Sequence, residues 1–283
     1  MTITTHPAAS TSVAPAPPTF RVVQRSRRGD IASIPTALHS EWIKVSSLRS
    51  NATIFALTPV IGVALSWIMA TFVKVDPDTD LPFTVGVTFI FSTWLTTILA
   101  AIIGTLMFTS EAQHGTLATA VAAQPARWVT VASKTTVAAG FGVAMGFLGM
   151  IGGLSGAILG GLPSGDTSGM ASTASWGLLL TTLAPVFGLG VGMILRHSAA
   201  AISILLVWAF VLENILRALI PVSAARYMPF SAANNMLGIA SATDTPESLA
   251  AALTPLQNAL LFGGYAFALL AIGTTLLYRR DTD

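Results

Sequence analysis

The polar residues with the most chemical potential cluster between two apolar runs, in Thr109–Lys134, TSEAQHGTLATAVAAQPARWVTVASK. Glu111, Gln113, His114, Gln124 and Arg127 would each lose their water on entering a bilayer, so this stretch does not span one. Leu117, Val121 and Trp128 nevertheless recur at helical spacing, and Gln124-Pro125 punctuates the middle. The pattern predicts a short helix over part of 109–130, lying at the membrane surface and offered to a soluble partner. The other ionisable residues close to an apolar run are Glu213 and Arg217, with Asn214 between them. Their i, i+4 spacing allows them to pair, either as part of an outer-gate polar network or as a salt bridge where a helix leaves the bilayer.

Other chemistries lack their residues. There is no GxxxxGK[ST] loop for nucleotide phosphates, and the GLGVG of Gly188–Gly192 lacks the spacing of a dinucleotide loop. His6, His39, His114 and His197 form no paired metal-ligand spacing, and no G-x-S-x-G supports a serine nucleophile. Zero cysteines exclude disulfides, thiol catalysis and cysteine-ligated zinc. The chain is therefore read as neither an enzyme nor a cofactor carrier. Its formal charge of +2 is too small to suggest nucleic acid.

The elements that position these residues follow from composition. Hydrophobic residues make up 53% of 283 and charged residues 9%, with mean hydropathy +0.73. A soluble domain carries about 25% charged residues; this chain cannot cover a water-facing surface. Each helical span needs about 20 apolar residues, and six runs qualify: 52–73, 85–108, 131–154, 175–195, 199–219 and 256–278. The expected fold is an all-α integral membrane protein of six transmembrane helices, with both termini on one side. The positive-inside rule places that side in the cytoplasm. Arg21, Arg25, Arg27, Arg28, Lys44, Arg49, Arg127, Lys134, Arg196, Arg279 and Arg280 fall there, against Lys74, Arg217 and Arg226 outside, while Asp76, Asp78 and Asp80 lean outward.

Residues 1–35 read as a disordered cytoplasmic tail, and 36–283 as the membrane domain. Within 36–50, Leu38, Trp42 and Val45 form an apolar stripe. Trp42, Lys44 and Arg49 suit a membrane interface, so an interfacial amphipathic helix precedes the first span. Lys134 and Arg49 are expected to snorkel at the inner boundary. Pro59 and Pro185 lie inside spans, as kinks or as tolerated prolines. The glycine repeats of 142–160 and 188–192 permit close helix contact, within one subunit or between two. The outer connection 220–255 is too apolar for a plain loop and too broken to span, which predicts short interfacial or re-entrant helices buried against protein.

Three stretches give the chain a resemblance to the permease subunit of an ABC type-2 exporter, of the actinobacterial kind. Ser40-Glu41-Trp42-Ile43-Lys44 with Leu48-Arg49-Ser50 is similar to an "EWxK…LRS" elbow. Glu111 through His114-Gly115-Thr116, then Gln124-Pro125-Ala126-Arg127 and Lys134, resembles "E…GT…P.R….K" after the second span. Arg226-Tyr227-Met228-Pro229-Phe230 is similar to a recurring "RYLP" stretch. The likeness covers about Ser40 to Arg280 and departs from the pattern at His114, where an Arg often stands.

The resemblance implies a dimer of permease protomers, same or homologous, in the bacterial plasma membrane among its lipids. It is driven by two copies of a separate ATPase that holds the ATP and Mg. Glu111, His114, Gly115, Thr116, Leu117, Val121 and Arg127 would dock the ATPase, with Glu111 and Arg127 in polar contact at its surface. The pathway would lie between protomers, nearest the first, second and fifth spans. Glu213, Asn214, Arg217, Tyr227, Pro229 and Phe230 form the expected outer gate. The alternatives are an ion- or proton-coupled secondary carrier and a non-transporting membrane scaffold.

Overall fold

The computed structural model describes residues 27–72, 85–116, 126–162, 169–238 and 252–280. Among them every regular element is helical, and six helices are long and apolar enough to cross a membrane. In chain order these are α1 (Arg27–Ala32), α2 (Ile34–Ser47), α3 (Arg49–Phe72), α4 (Val85–Gln113), α5 (Arg127–Leu159), α6 (Met170–Leu195), α7 (Ser198–Leu219), α8 (Val222–Ala225), α9 (Pro229–Met236) and α10 (Pro255–Arg280). The six expected runs correspond to α3, α4, α5, α6, α7 and α10. The helices outreach the apolar runs: α4 continues five residues past Phe108 to Gln113, and α5 begins at Arg127 rather than Val131. Both ends of the polar island therefore belong to long helices, and Leu117 and Val121 lie outside the described residues. The tail expectation also changes at its end, because 27–32 are helical, with the Ser33 hydroxyl donating to the Asp30 carbonyl at 2.6 Å.

α6 is the central helix. Of its most apolar stretch 67% is buried, against 17% for α3 and 22% for α7, so α6 is core while those two present most of their surface outward. It packs on α4, α5 and α10; α5 in turn packs on α3 and α4. Small residues make this closeness possible. A Cβ on Gly104 of α4 would stand 1.9 Å from the Pro185 carbonyl oxygen of α6, and one on Gly188 of α6 would stand 1.8 Å from that of Ala101. The α5 repeats serve likewise: Gly149 meets the Thr96 hydroxyl, Gly152 the Pro59 carbonyl and Gly156 the Val63 carbonyl. The glycine faces left open by the sequence are thus used inside the subunit. Pro59 and Pro185 each sit opposite a glycine of a neighbouring helix.

α4 carries Thr88, Ser92, Thr93, Thr96, Thr97, Thr105 and Thr109, all buried. Most of these hydroxyls donate to carbonyls one turn back, which removes the cost of burying them. Two reach across: Ser92 to the Gly149 carbonyl at 2.8 Å, and Thr105, shared with its own-helix Ala101 carbonyl at 3.0 Å, to the Gly188 carbonyl at 3.1 Å.

α6 and α7 are joined by Arg196 and His197 alone. Arg196 adopts left-handed backbone (φ 56°), and the His197 ring accepts from the Ala200 amide at 3.4 Å to cap α7. α10 opens on a reciprocal cap: the Thr254 amide donates to the Gln257 side chain at 2.9 Å, and the Gln257 amide to the Thr254 hydroxyl at 3.3 Å. In the outer connection, α9 is largely buried against α6 and α10, while α8 is exposed except at Ala225; residues 239–251 lie outside the described residues.

Candidate functional site

At the end where α2, the last turn of α4 and the first turns of α5 converge, four charged side chains meet. The Lys134 ammonium donates to Glu41 at 2.6 Å and to Glu111 at 2.8 Å; the Lys44 ammonium donates to Glu41 at 2.7 Å and to Glu111 at 3.2 Å. The Lys134, Glu41 and Glu111 side chains are 3%, 5% and 12% exposed, while Lys44 is 41% exposed and forms the lid of the cluster. Two carboxylates and two ammoniums cancel. Burial of any one without its partners would leave several kcal/mol of lost hydration uncompensated.

Helix geometry explains how the cluster assembles. Glu41 and Lys44 are i, i+3 on α2, so one face of a single helix supplies a carboxylate and an ammonium. Val45 is buried one residue along, and Trp42 lays its ring on Phe141 of α5 at 4.8 Å between centroids, which pins α2 to the bundle. The Asn51 amide, itself buried at the start of α3, donates back to the Val45 carbonyl at 3.4 Å. Burial pulls the Lys44 ammonium toward neutrality. The hydrogen bond that it donates to Glu41 and the charges of Glu41 and Glu111 outweigh it, leaving the group above its ordinary value.

Two sequence expectations change here. Lys134 does not snorkel to a boundary, because two carboxylates await it inside. Glu111 turns its carboxylate inward to both lysines, rather than outward to a partner's surface. Arg127 is likewise engaged by its own chain: it donates to the carbonyls of Leu277 (3.3 Å) and Tyr278 (3.2 Å) and lies over the Tyr278 ring at 5.5 Å. A cation there complements the carbonyl end of α10. Glu41 entered the sequence reading only as one letter of a motif.

What remains outward at this end is the turn after α4. His114, Gly115 and Thr116 are exposed. The His114 ring donates to the Ser110 carbonyl at 2.7 Å, and the Thr116 hydroxyl donates to the Glu111 carbonyl at 3.3 Å. Gly115 has φ 70°, so the chain turns there through a left-handed conformation that other residues adopt at a cost. Beside it, the Ser198 hydroxyl donates to the Gln113 side chain at 2.7 Å and ties the start of α7 to the end of α4. Arg49 is exposed at the start of α3.

The expected outer-gate residues meet at a second site. Glu213 is 2% exposed and is no surface salt bridge. Its carboxylate accepts from the Phe230 amide at 3.1 Å and from the Ser231 amide, both at the start of α9. Pro229 opens α9, and Met228 before it has no capping side chain, so Glu213 supplies the cap from another helix. α7 widens into one π turn at Trp208–Leu212 just before Glu213, and its buried stripe runs Ala201, Leu205, Ala209, Glu213.

Phe230 packs edge-on against Phe187 and Phe262, which seats α9 on α6 and α10. Asn214 and Arg217 line a cleft of about 190 Å³ beside Glu213, between α4, α7 and α9. Tyr227 stands apart from that cleft: it lies under the Arg226 guanidinium, and its carbonyl accepts from the Tyr265 hydroxyl at 2.9 Å.

Among the described residues no group of three or more His, Asp or Glu side chains is placed to hold a metal. Compared with known proteins, the chain matches no protein-family model and no curated protein.

Proposed function

We propose that the chain is the permease subunit of an ATP-driven type-2 ABC exporter. It would work as a dimer in a bacterial plasma membrane, with both termini inside and a separate ATPase as its motor. α2 would lie along the inner membrane surface, with Trp42 and Arg49 among headgroups.

The observation that carries this reading is the fastening of α2, α4 and α5 by the Glu41–Lys44–Glu111–Lys134 cluster, directly behind the exposed turn His114–Thr116. A chain without phosphate-binding loops moves uphill only through differential contacts with a partner that has them. Force applied at His114–Thr116 is delivered at once to two spans and the entry helix, because charge pairs that cannot be separated cheaply join them. In this reading Glu111 and Arg127 brace the docking segment from behind, and the exposed turn with Leu117 and Val121 makes the contact.

Purification of the tagged chain from its native membranes in mild detergent tests the proposal. An ATPase subunit should accompany it in equal number, and nucleotide hydrolysis should require that subunit. Solute accumulation by the purified chain alone in ATP-free vesicles, driven by an ion gradient, would overturn it.

A further inference from the structure

We propose that the cleft between α4, α7 and α9 binds one aromatic ring bearing a neutral hydrogen-bond donor, the phenol-like end of a larger amphiphile. Its size comes first. At about 190 Å³ it slightly exceeds the roughly 150 Å³ of an apolar cavity that accepts benzene, leaving room for a ring and one small polar substituent.

The walls are aromatic. Phe91, Trp94 and Phe210 line the cleft, and the Trp94 and Phe210 rings meet edge to face at 5.1 Å, a geometry that a third ring extends. Phe91 and Phe210 are 42% and 45% exposed on the apolar flank of the bundle, so the ring enters sideways and the rest of the amphiphile stays outside.

Charge selects against ions. Glu213 and Arg217 both line the cleft, so the attraction that one offers an ion is offset by the repulsion of the other, and an ion gains little for the hydration it loses. Glu213 is already committed to the amides of α9. The polar requirement is set by Asn234 of α9, which lines the cleft and carries a buried Oδ1 with no hydrogen-bond partner. A hydroxyl or aryl N–H satisfies that oxygen, and an unsubstituted ring leaves it unpaired. The neighbouring Asn214 amide is spent on the Phe210 carbonyl at 2.9 Å.

This site deepens the permease reading by naming a substrate class, yet its test needs no ATPase, so the two can fail separately. The full chain in lipid nanodiscs is titrated with 4-fluorophenol, fluorobenzene, 4-fluorobenzoate and 4-fluorobenzylammonium, followed by ¹⁹F NMR against empty nanodiscs. Saturable binding of 4-fluorophenol, displaced by phenol and about tenfold tighter than that of the other three probes, is expected. Asn234→Leu should remove that tenfold preference while leaving fluorobenzene unchanged, and Ala209→Phe should abolish binding of both. A 4-fluorophenol signal no larger than in empty nanodiscs overturns the proposal without recourse to any variant. So does equal affinity for the four probes, or binding that survives Ala209→Phe.

Discussion

The two ends of the bundle bury carboxylates by different means. At the α2–α4–α5 end, Glu41 and Glu111 are neutralised by two lysines brought from separate helices, so the pairs tie together segments 93, 67 and 23 residues apart. At the α7–α9 junction, Glu213 is met by two backbone amides and the positive end of a short helix, with no lysine involved. The first arrangement loses stability steeply if Lys134, Glu41 or Glu111 is removed, because the remaining charges stay buried, while the half-exposed Lys44 matters least. The second is a local clasp, whose loss frees one eight-residue helix and leaves the six long helices in place. The first joins three helices through their side-chain charges; the second holds one short helix by its backbone.

That contrast can be broken most sharply at Lys134. Lys134→Met leaves two buried carboxylates with only the half-exposed Lys44 and should destabilise the chain by about 3–5 kcal/mol. Adding Glu41→Gln should recover much of the loss, and thermal unfolding in detergent would measure both. Additive losses in the double variant would show that the two residues do not act together.

A smaller effect is expected at Glu213. Glu213→Leu should cost about 1–3 kcal/mol and speed hydrogen exchange at Phe230 and Ser231, while amides of α4 and α6 keep their protection. Unchanged exchange in α9 would remove the clasp from the account.

The least effect belongs to Lys44. It is 41% exposed, so Lys44→Met should cost at most about 1 kcal/mol at neutral pH. Its folded-state value is raised, so its contribution is complete below the ordinary 10.5 and lost as pH climbs through the folded value above that. The stability difference between wild type and Lys44→Met should be flat from pH 7 to 9 and shrink only beyond about 10.5. A difference that vanishes between pH 7 and 9 would assign it to another group.

The spans were legible because six apolar runs have no other use in a chain with so few charges. The cluster was not, since apolar patterning says nothing about which distant charges meet. One signal was available: Glu111 and Lys134 stand eleven residues to either side of Ala122–Ala123, so folding α4 and α5 into a hairpin brings them level. Glu41 had no such cue, because the packing of Trp42 on Phe141 fixes its approach. For Glu213 the cue lay in its partner: Pro229 starts a helix and Met228 cannot cap it, so a carboxylate is needed from elsewhere. The π turn at Trp208–Leu212 left no mark in the residue pattern.

The most direct measurement is site-specific photocrosslinking in native membranes, with the photoreactive residue placed at Thr116 in one sample and at Tyr227 in another. An ATPase subunit crosslinked from position 116 and absent from position 227 is the predicted result. An ATPase captured from position 227 alone, or no adduct from 116 in membranes that support ATP-driven transport, would contradict it.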